Sequence, residues 1–508
     1  MNLKIIEIVK LSIILNKKKL EGKKVVLCHG VFDLLHIGHI KHFEEARKQG
    51  DVLIVSLTPD KFVNKGPSRP HFTESLRAEA ISAIKCVDYV VINNSHSATS
   101  IIKKIKPSIY CKGPDYKNVK KDITGEINKE IKCILENGGK IYFTKGQTFS
   151  SSNLINNYLD GIDKKTKNIF KTIKRKNTNT DDIKKIFQNI KKIKVLVIGE
   201  VIIDKYTFCE ALGKSGKEPV LVLKDKQSEE YLGGAAAIAR HVSSFTDNTH
   251  LFSMIGEKEE YLKKIKKDLP KNVKFSYIKK KNSPTILKTR FLDYISNNKI
   301  FGVDQINDNL LDDNQNKLLI NRLSKIIPKY DLVITSDYGH GFLSHSTAKL
   351  ICKKSKYLSL NAQVNSANIG YHSLRNYKNS KCVVINQREL EYELRERGKD
   401  VKILIKKLVQ RDKIENLIVT QGKEGAILYN RKLNKFLECG GLATKVIDKI
   451  GSGDAFLSLI SLLLVSKVSL ETSLLLGSIA AAQSTESIGN KNNLNKIKII
   501  KSVEHLIK

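Results

Sequence analysis

The sequence predicts an α/β protein with two domains, each built on a mainly parallel sheet. With 508 residues the chain is long enough for two or three separate hydrophobic cores. Short apolar runs rich in β-branched residues alternate with helical patterns in both halves, which indicates βαβ units. Glycine clusters follow several predicted strands, and open α/β sheets bind their ligands at that edge. We therefore expect one site in each domain.

The first series of elements runs from Lys24 to about Asn157. An amphipathic helix is favoured over a signal peptide in the first sixteen residues, because charged residues interrupt the apolar run. The strands are predicted at Val25–Cys28, Val52–Leu57, Val87–Ile92 and Ile109–Cys111. The helices between them are predicted at His39–Gln49, Leu76–Ile84 and Ser97–Lys104.

A change of composition separates the two series. From Gly161 to Lys194 the chain is rich in Lys, Asn and Thr, which predicts a linker with one helix around Asp182–Ile190. The most apolar stretch, Ala455–Val465, is too short to span a bilayer and is predicted to be a core helix. The expected boundaries are residues 1–160, 161–190 and 191–508. Strands of the second series are predicted at Val195–Ile198, Leu332–Thr335, Tyr357–Leu360, Val383–Ile385 and Leu417–Thr420.

The net charge of +37 is extreme and raises nucleic acid or an anionic membrane as partners. The lysines are nevertheless scattered, and no Trp or aromatic interleaving provides a stacking surface for bases. We therefore expect no nucleic-acid partner and no membrane insertion, but a general attraction for anionic nucleotides. The eight dispersed cysteines form no CxxC pair or zinc spacing, which favours reduced thiols and a cytoplasmic location.

A histidine motif follows the first predicted strand. His36 and His39 lie on either side of Gly38 at the opening of a predicted helix, and their spacing places both imidazoles on one side of the first turn. Glycine lets a phosphate approach the backbone, where the helix N-terminus supplies N–H donors. Two imidazoles there can stabilise charge that develops on an α-phosphate as pyrophosphate leaves. Taken alone, such a pair also fits core or capping histidines.

The wider segment resembles the nucleotidyltransferase superfamily that includes glycerol-3-phosphate cytidylyltransferase and heptose-1-phosphate adenylyltransferase. The resemblance covers about residues 22–159 and implies a Rossmann-like domain with a five-stranded parallel sheet. It leaves the base open between adenine and cytosine. The matching motifs, in chain order, are His29 to His39, Asn64-Lys65-Gly66, Arg69-Pro70, Arg77, Lys112 to Tyr116, and Thr148 to Ser152.

This resemblance also implies residue roles. His36 and His39 hold the triphosphate, Lys65 and Lys112 neutralise phosphates, and the 148–152 segment caps them. The implied catalytic residues are His36, His39 and Lys65. The implied nucleotide- and phosphate-binding residues are His29, Gly30, Phe32, Gly38, Arg77, Lys112, Gly113, Asp115, Ser150, Ser151 and Ser152.

A glycine-rich motif opens the predicted core helix near the other end of the chain. The N–H groups of Gly451, Ser452 and Gly453 can hold a γ-phosphoryl group in transit. Asp454, in the first turn, can accept a hydroxyl proton as that oxygen attacks phosphorus. A glycine-rich helix start is, by itself, also compatible with a purely structural turn.

The segment from Val446 to Phe456 resembles the signature of the ribokinase-like (PfkB) sugar kinases, and the resemblance covers about residues 191–490. It implies a ribokinase-like α/β domain with a small lid, with Asp454 as base and Gly451 to Gly453 as anion hole. Implied sugar-binding residues are Asp204, Gly233, Gly234 and Asp337. Further implied nucleotide- and phosphate-binding residues are Asn386, Glu389, Thr420, Gly422 and Gly425, of which Asn386 and Glu389 help to organise Mg²⁺.

Three positions depart from the family pattern. Ala237 stands where Asn is usual, which removes a sugar hydroxyl contact. Lys449 stands where Thr is usual, and Asn361-Ala-Gln363 stands where heptose kinases carry Asp-Pro-Lys. These departures leave the sugar substrate and the activity of the kinase half open.

The two halves together resemble the bifunctional heptose-7-phosphate kinase and heptose-1-phosphate adenylyltransferase enzymes, with the domains in reversed order. The resemblance implies a chain that phosphorylates a sugar phosphate and makes an ADP- or CDP-activated sugar for lipopolysaccharide or another surface glycan. The implied cofactors are Mg²⁺ and ATP, or CTP; the partners are substrates, with homo-oligomerisation left open. Two rivals are a monofunctional nucleotidyltransferase, such as a polyol-phosphate cytidylyltransferase, and a regulatory nucleotide-binding protein.

Overall fold

The computed structural model describes residues 4–63, 70–117, 126–145, 163–175, 179–363, 368, 372–443 and 446–507. The chain forms two compact units, Met1–Gly161 with Lys501–Lys508 and Ile162–Ile500. None of the described helices is both long and apolar enough to cross a membrane.

The first unit is a five-stranded parallel sheet with the strand order β3-β2-β1-β4-β5. Its strands are β1 (Val25–Gly30), β2 (Val52–Leu57), β3 (Tyr89–Ile92), β4 (Ile109–Lys112) and β5 (Lys140–Phe143). Its helices are α1 (Ile8–Leu20), α2 (Ile37–Arg47), α3 (Glu74–Ser82), α4 (Thr99–Ile105) and α5 (Glu126–Glu136).

Both faces of this sheet are covered. Val25 and Leu27 of β1 belong to a core cluster with Leu11 of α1, whereas Val26 packs in a second cluster with Phe43 of α2. Because alternate residues of a strand point to opposite faces, a continuously apolar strand such as β1 must be buried on both sides. The strand order reverses direction between β1 and β4, and ligands bind outside the carboxyl ends of strands at such a point.

The second unit has a nine-stranded sheet with the order β10-β9-β6-β13-β14-β15-β16-β17-β18. Pairing is parallel up to β16 and antiparallel for the last two strands. A second sheet, β12-β11-β7-β8, has four strands and is called the lid sheet below. The strands are β6 (Lys194–Gly199), β7 (Val201–Lys214), β8 (Leu221–Gly234), β9 (Asn248–Gly256), β10 (Val273–Lys280), β11 (Leu287–Asp293), β12 (Lys299–Gln305), β13 (Leu332–Asp337), β14 (Leu358–Ala362), β15 (Cys382–Asn386), β16 (Asn416–Thr420), β17 (Ala426–Asn430) and β18 (Lys435–Cys439).

Several helices of this part of the chain pack on the nine-stranded sheet. Helix α14 is buried from Ala455 to Leu464, which confirms the predicted core helix. The helices are α6 (Lys164–Arg175), α7 (Thr180–Asn189), α8 (Ala235–Ser243), α9 (Leu262–Asp268), α10 (Asp313–Ile326), α11 (His345–Lys354), α12 (Gln387–Leu394), α13 (Val401–Asp412), α14 (Ser452–Val465), α15 (Leu470–Ser484) and α16 (Lys496–Ile507).

The predicted strands all form, with ends that move by up to two residues. Helix α2 begins at Ile37, two residues before its predicted start, because the His36 side chain caps it. The predicted linker contains two helices, α6 and α7, where the sequence predicted one. Helix α6 forms because Ile169, Phe170 and Ile173 are buried on one of its faces. The many lysines around these residues gave the segment the composition of a linker, so this helix was not predicted.

Candidate active sites

The first site lies where β1 ends and α2 begins. Gly30 closes β1, and Phe32 follows in the left-handed region at φ 48° with its side chain buried. A Cβ on Gly30 would lie 3.0 Å from the Phe32 ring, so the ring packs where a side chain at position 30 would stand. This tight turn carries the chain from the buried strand to the histidines.

His36 and His39 are brought together in the way the motif predicts. Their rings stack with centroids 3.9 Å apart. His36 Nδ1 accepts a hydrogen bond from Gly38 N at 3.1 Å and so caps α2, while the edge of Phe32 packs on His39 at 5.4 Å. Both rings are partly exposed beside the first amides of α2. The pair therefore sits at a helix N-terminus with its positive dipole, as an anion site requires.

His29 lies deeper, at the end of β1. Its Nδ1 is 3.1 Å from Ser56 Oγ, within β2, and its Nε2 is 3.4 Å from Thr58 Oγ1, directly after β2. Burial, assisted by the charge of Lys112, lowers the pKa of His29 to about 4. The neutral His29 side chain, hydrogen-bonded to Ser56 and Thr58, stabilises the turn after β1. A contact of His29 with the nucleotide stays a prediction.

Lys112 ends β4 and belongs to a buried polar network. Its ammonium lies 3.1 Å from a carboxylate oxygen of Glu130 on α5, and both side chains are less than a tenth exposed. Glu130 also accepts hydrogen bonds from Tyr110 Oη at 2.9 Å and from Ala98 N at 2.9 Å. Although burial alone raises the pKa of Glu130, Lys112 and these donors lower it overall. No local pattern points to Glu130, which reaches Lys112 only through the fold.

We expect Glu130→Gln to destabilise the first domain by about 3 kcal/mol, because it removes one partner of a buried ion pair. Gln keeps the size of the side chain and an oxygen for Ala98 N, so the substitution isolates the charge. The free energy of unfolding in urea checks this.

The matched control is Glu136→Gln on the same helix, because Glu136 and its partner Lys132 are 57% and 79% exposed. This exposed pair should contribute less than about 1 kcal/mol. Equal losses in the two variants would contradict a special role for the buried pair.

Arg77, predicted to bind phosphate, is almost fully buried. Its guanidinium donates to the carbonyl oxygens of Val31 and Phe72 and to Asp60, and a further bond goes to Thr58 O at 3.0 Å. These contacts tie the turn after β1 to α3 and to the segment after β2. The structure thus gives Arg77 a scaffolding role, and phosphate binding by it stays a prediction.

Several residues predicted for this site lie outside the described part of the chain. They are Lys65, Ser150, Ser151 and Ser152, together with the side chain of Asp115. Gly113 is described, and a Cβ there would have nothing within 4 Å. The open space in front of Gly113 is compatible with the close approach of a ligand to the backbone.

The second site is centred on the start of α14. Gly451 is the N-cap at φ 84°, and a Cβ there would lie 2.0 Å from Asn490 Oδ1. Both the backbone conformation and the space therefore require glycine. Gly453 is different, because nothing lies within 4 Å of a Cβ built on it and the residue is exposed. The first amides of a helix have no intrahelical acceptor, so this open turn can receive an anion.

Asp454 lies in the first turn of α14, beside the Gly451–Gly453 turn. Tyr338 Oη donates a hydrogen bond to Asp454 Oδ1 at 3.1 Å. Burial raises the pKa of Asp454 to about 7, the Tyr338 bond opposes the rise, and the charge of Asp204 adds to it. A carboxyl group that titrates near neutral pH is suited to accept a proton from a hydroxyl group. Tyr338 directly follows Asp337 in the sequence, but its contact with Asp454 was not predicted.

The predicted sugar residues Asp204, Gly233 and Gly234 meet where β7 and β8 leave the body of the domain. A Cβ on Gly233 would lie 2.1 Å from Asp204 Oδ2, so this glycine makes room for the carboxylate. Gly234 adopts φ 58° at the start of α8. Arg290, on β11, donates to Asp204 Oδ1 at 2.6 Å. Arg290 was not predicted, because only the parallel pairing of β11 with β7 brings it there.

Asp337, the fourth predicted sugar residue, is buried at the end of β13. Its carboxylate accepts hydrogen bonds from Tyr377 Oη at 2.6 Å and from Gly339 N at 3.1 Å. Nearby, burial and the charge of Asp337 raise the pKa of Glu200 to about 8, and Glu200 accepts bonds from two amides of the loop after β13. Asp337 and Glu200 thus hold the loop after β13 by buried hydrogen bonds. Sugar binding by Asp337 stays a prediction.

The remaining predicted nucleotide residues lie at the ends of β15 and β16. Asn386 and Glu389 cap α12 reciprocally, with bonds of 2.8 and 2.9 Å between each side chain and the other's amide. Thr420 ends β16, and Gly422 and Gly425 form the turn into β17 with positive φ. All five residues are at the carboxyl edge of the sheet, where a nucleotide is expected. The capping box explains these two hydrogen bonds, and the part of Asn386 and Glu389 in organising Mg²⁺ stays a prediction.

The comparisons with known proteins agree with both halves of this description. The family model of the cytidylyltransferase-like proteins matches residues 27–157, and that of the pfkB family carbohydrate kinases matches residues 192–497. Both predicted resemblances and the predicted fold class are confirmed.

Two curated relatives are each named bifunctional protein HldE. The one from Aliarcobacter butzleri is 44% identical over 122 residues, which is 23% of this chain and 25% of the relative. The one from Geobacter metallireducens is 35% identical over 151 residues, which is 29% of each protein. The chain thus spans less than a third of the length of these relatives.

Among solved structures, phosphofructokinase-2 from Escherichia coli in complex with potassium is similar with a TM-score of 0.50 and 15% identity. The match covers 61% of this chain and 99% of that protein, and it shows the fold of the larger part of the chain. Because the pfkB match extends over more than half of the sequence, the chain belongs to the pfkB family of carbohydrate kinases.

Proposed function

We propose that the chain catalyses two steps in making a nucleotide-activated sugar. The kinase domain transfers the γ-phosphoryl group of ATP to a sugar phosphate of the heptose type, and the first domain transfers a nucleotidyl group to a sugar phosphate. The observation that carries the proposal is the partly buried Asp454, which titrates near neutral pH beside the open Gly451–Gly453 turn. The shared name of the HldE relatives, bifunctional protein, supports two reactions in one chain.

In the kinase step, Asp204 and Gly233 are proposed to hold the sugar, with Arg290 fixing the Asp204 carboxylate. A sugar hydroxyl gives its proton to Asp454 while its oxygen bonds to the γ-phosphorus. The bond from that phosphorus to the β–γ bridging oxygen breaks, and ADP leaves. The amides of the Gly451–Gly453 turn take up the charge on the transferring group.

In the transfer step, a phosphate oxygen of the sugar attacks the α-phosphorus of the nucleoside triphosphate. The bond to the α–β bridging oxygen breaks, and pyrophosphate leaves. His36, His39 and the first amides of α2 are proposed to stabilise the negative charge that grows there. Lys112, held by Glu130 at the end of β4, is proposed to add positive charge that neutralises the phosphates.

Mg²⁺ is proposed as the cofactor of both reactions, because it neutralises phosphate charge. Among the described residues, no group of three or more His, Cys, Asp or Glu side chains is arranged to hold a metal ion. We therefore propose that Mg²⁺ is bound mainly by the phosphate oxygens of the nucleotide, as is usual for this ion. ATP is the proposed nucleotide of the kinase, and ATP or CTP that of the transferase. The proposed location is the cytoplasm, since the eight cysteines are free thiols.

Screening the full chain with ATP or CTP against a panel of sugar phosphates tests the proposal. ADP formation and pyrophosphate release are recorded separately for each combination. We expect sugar-dependent ADP formation with a heptose 7-phosphate and pyrophosphate release with a heptose 1-phosphate. Pyrophosphate release without sugar-dependent ADP formation from any substrate would instead favour the monofunctional transferase, whose kinase-like domain only binds ligand.

A further inference from the structure

The Asp448 carboxylate joins the lid sheet to the loop before the Gly451–Gly453 turn, which is called the phosphate cradle below. Asp448 is 5% exposed and accepts four hydrogen bonds. Two donors belong to the lid sheet, Tyr206 Oη at 2.9 Å and Lys299 Nζ at 2.7 Å. The other two are backbone amides beside the cradle, Ile450 N at 3.2 Å and Gly489 N at 3.0 Å.

The lid side of this junction is continuous with the proposed sugar contact. Tyr206 lies two residues after Asp204 on β7, so both side chains are on the same face of the strand. The Arg290 guanidinium that binds Asp204 also lies over the Tyr206 ring, 5.5 Å from its centroid. A shift of the lid sheet that moves Asp204 therefore also moves the donor to Asp448.

The cradle side is equally constrained. Ile450, whose amide Asp448 holds, directly precedes Gly451, the N-cap of α14. Gly489 adopts φ 51°, and a Cβ there would lie 2.8 Å from Tyr206 Oη, so the Tyr206 ring packs directly on this backbone. A buried carboxylate must keep its donors, because an unpaired buried charge is strongly unfavourable. Asp448 thus favours the arrangement in which lid and cradle are both in place.

We propose that Tyr206 and Lys299 are positioning residues that couple the lid sheet to the phosphate cradle through Asp448. Lid position and cradle geometry then change together, so that sugar held by Asp204 favours the backbone that receives the γ-phosphoryl group. The roles of sugar and phosphoryl group rest on the proposed function, whereas the mechanical link does not. Coupling between two binding sites is reciprocal. If bound sugar raises the affinity for ATP by some factor, bound ATP should raise the affinity for sugar by the same factor.

Hydrogen exchange of the full chain tests the link without any ligand. In Lys299→Ala and in Tyr206→Phe, amides in the 446–456 peptide should exchange roughly tenfold faster, within the usual range of couplings between sites. Lys299→Arg should restore slow exchange. The matched control is Lys226→Ala, which removes the lid-sheet ion pair with Glu210 but does not reach Asp448. Exchange in the two test variants no faster than in this control overturns the proposal.

Kinetics then separate this link from the proposed function. With an active parent, Lys299→Ala should lower kcat for sugar-dependent ADP formation roughly tenfold and abolish the mutual tightening of ATP and sugar binding. A merely structural loss would lower the amount of active enzyme but leave that mutual tightening intact, and this result also overturns the proposal. If the parent uses no sugar phosphate, the proposed function fails while the exchange result still decides the link.

Discussion

Replacing Asp454 by Asn should lower kcat for sugar-dependent ADP formation by about 10²–10⁴, the usual effect of losing a general base. The amide keeps the size of the side chain and can still accept the hydrogen bond from Tyr338. It cannot take the proton of the sugar hydroxyl, so the attacking oxygen stays weakly nucleophilic. Steady-state ADP formation under saturating substrates measures the effect.

The dependence on pH gives a second view of the same group. Burial raises the pKa of Asp454 to about 7, so the base form is present above that pH and is lost as the pH falls below it. The kinase kcat/KM of the parent should therefore fall with decreasing pH below about 7, and Asp454→Asn should lack this inflection.

ATP binding and pyrophosphate release serve as controls for Asp454→Asn. ATP affinity should hardly change, because backbone amides of the Gly451–Gly453 turn are proposed to hold the phosphates. Pyrophosphate release should not change, because it belongs to the other domain. An Asn variant that is as active as an active parent would show that another group accepts the proton.

Replacing His39 by Ala should lower pyrophosphate release by about 10²–10³, which corresponds to roughly 3 kcal/mol of transition-state stabilisation. His39 is a better test than His36, because His36 Nδ1 also accepts the bond from Gly38 N and caps α2. Removal of His39 leaves that cap intact, so the loss reports on charge stabilisation rather than on helix formation.

The control for this variant is His96→Ala in the same domain, since His96 is 61% exposed and lies in no predicted motif. It should retain full pyrophosphate release, and sugar-dependent ADP formation should persist in both variants. Transfer at the parental rate in His39→Ala would remove the histidine pair from the mechanism.

The sequence predicted those parts of the fold that depend on local pattern. The alternation of apolar runs predicted the parallel strands, and the glycine-rich motif marked the helix start at Gly451, where the positive φ and the neighbouring Asn490 require glycine. The His36–His39 pair and the Asp454 turn were predictable for the same reason: each site residue lies within a few positions of a helix start, where spacing determines geometry.

The partners of these residues were not predictable, because they come from distant elements. Glu130 reaches Lys112 from α5, Tyr338 reaches Asp454 from the loop after β13, and Arg290 reaches Asp204 only through the pairing of β11 with β7. For Arg77 the family resemblance implied phosphate binding, and this stays a prediction. Its burial and its carbonyl partners show a contribution to the scaffold that composition does not reveal.

We propose that one chain carries two independent phosphate-transfer sites. The most direct test measures sugar-dependent ADP formation and pyrophosphate release in parallel for the parent, His39→Ala and Asp454→Asn. We expect each substitution to lower one activity by about 10² or more and to leave the other near the parental rate. Loss of both activities in either variant would show that the two sites are not independent, and parental rates of both activities in both variants would show that neither residue belongs to its proposed site.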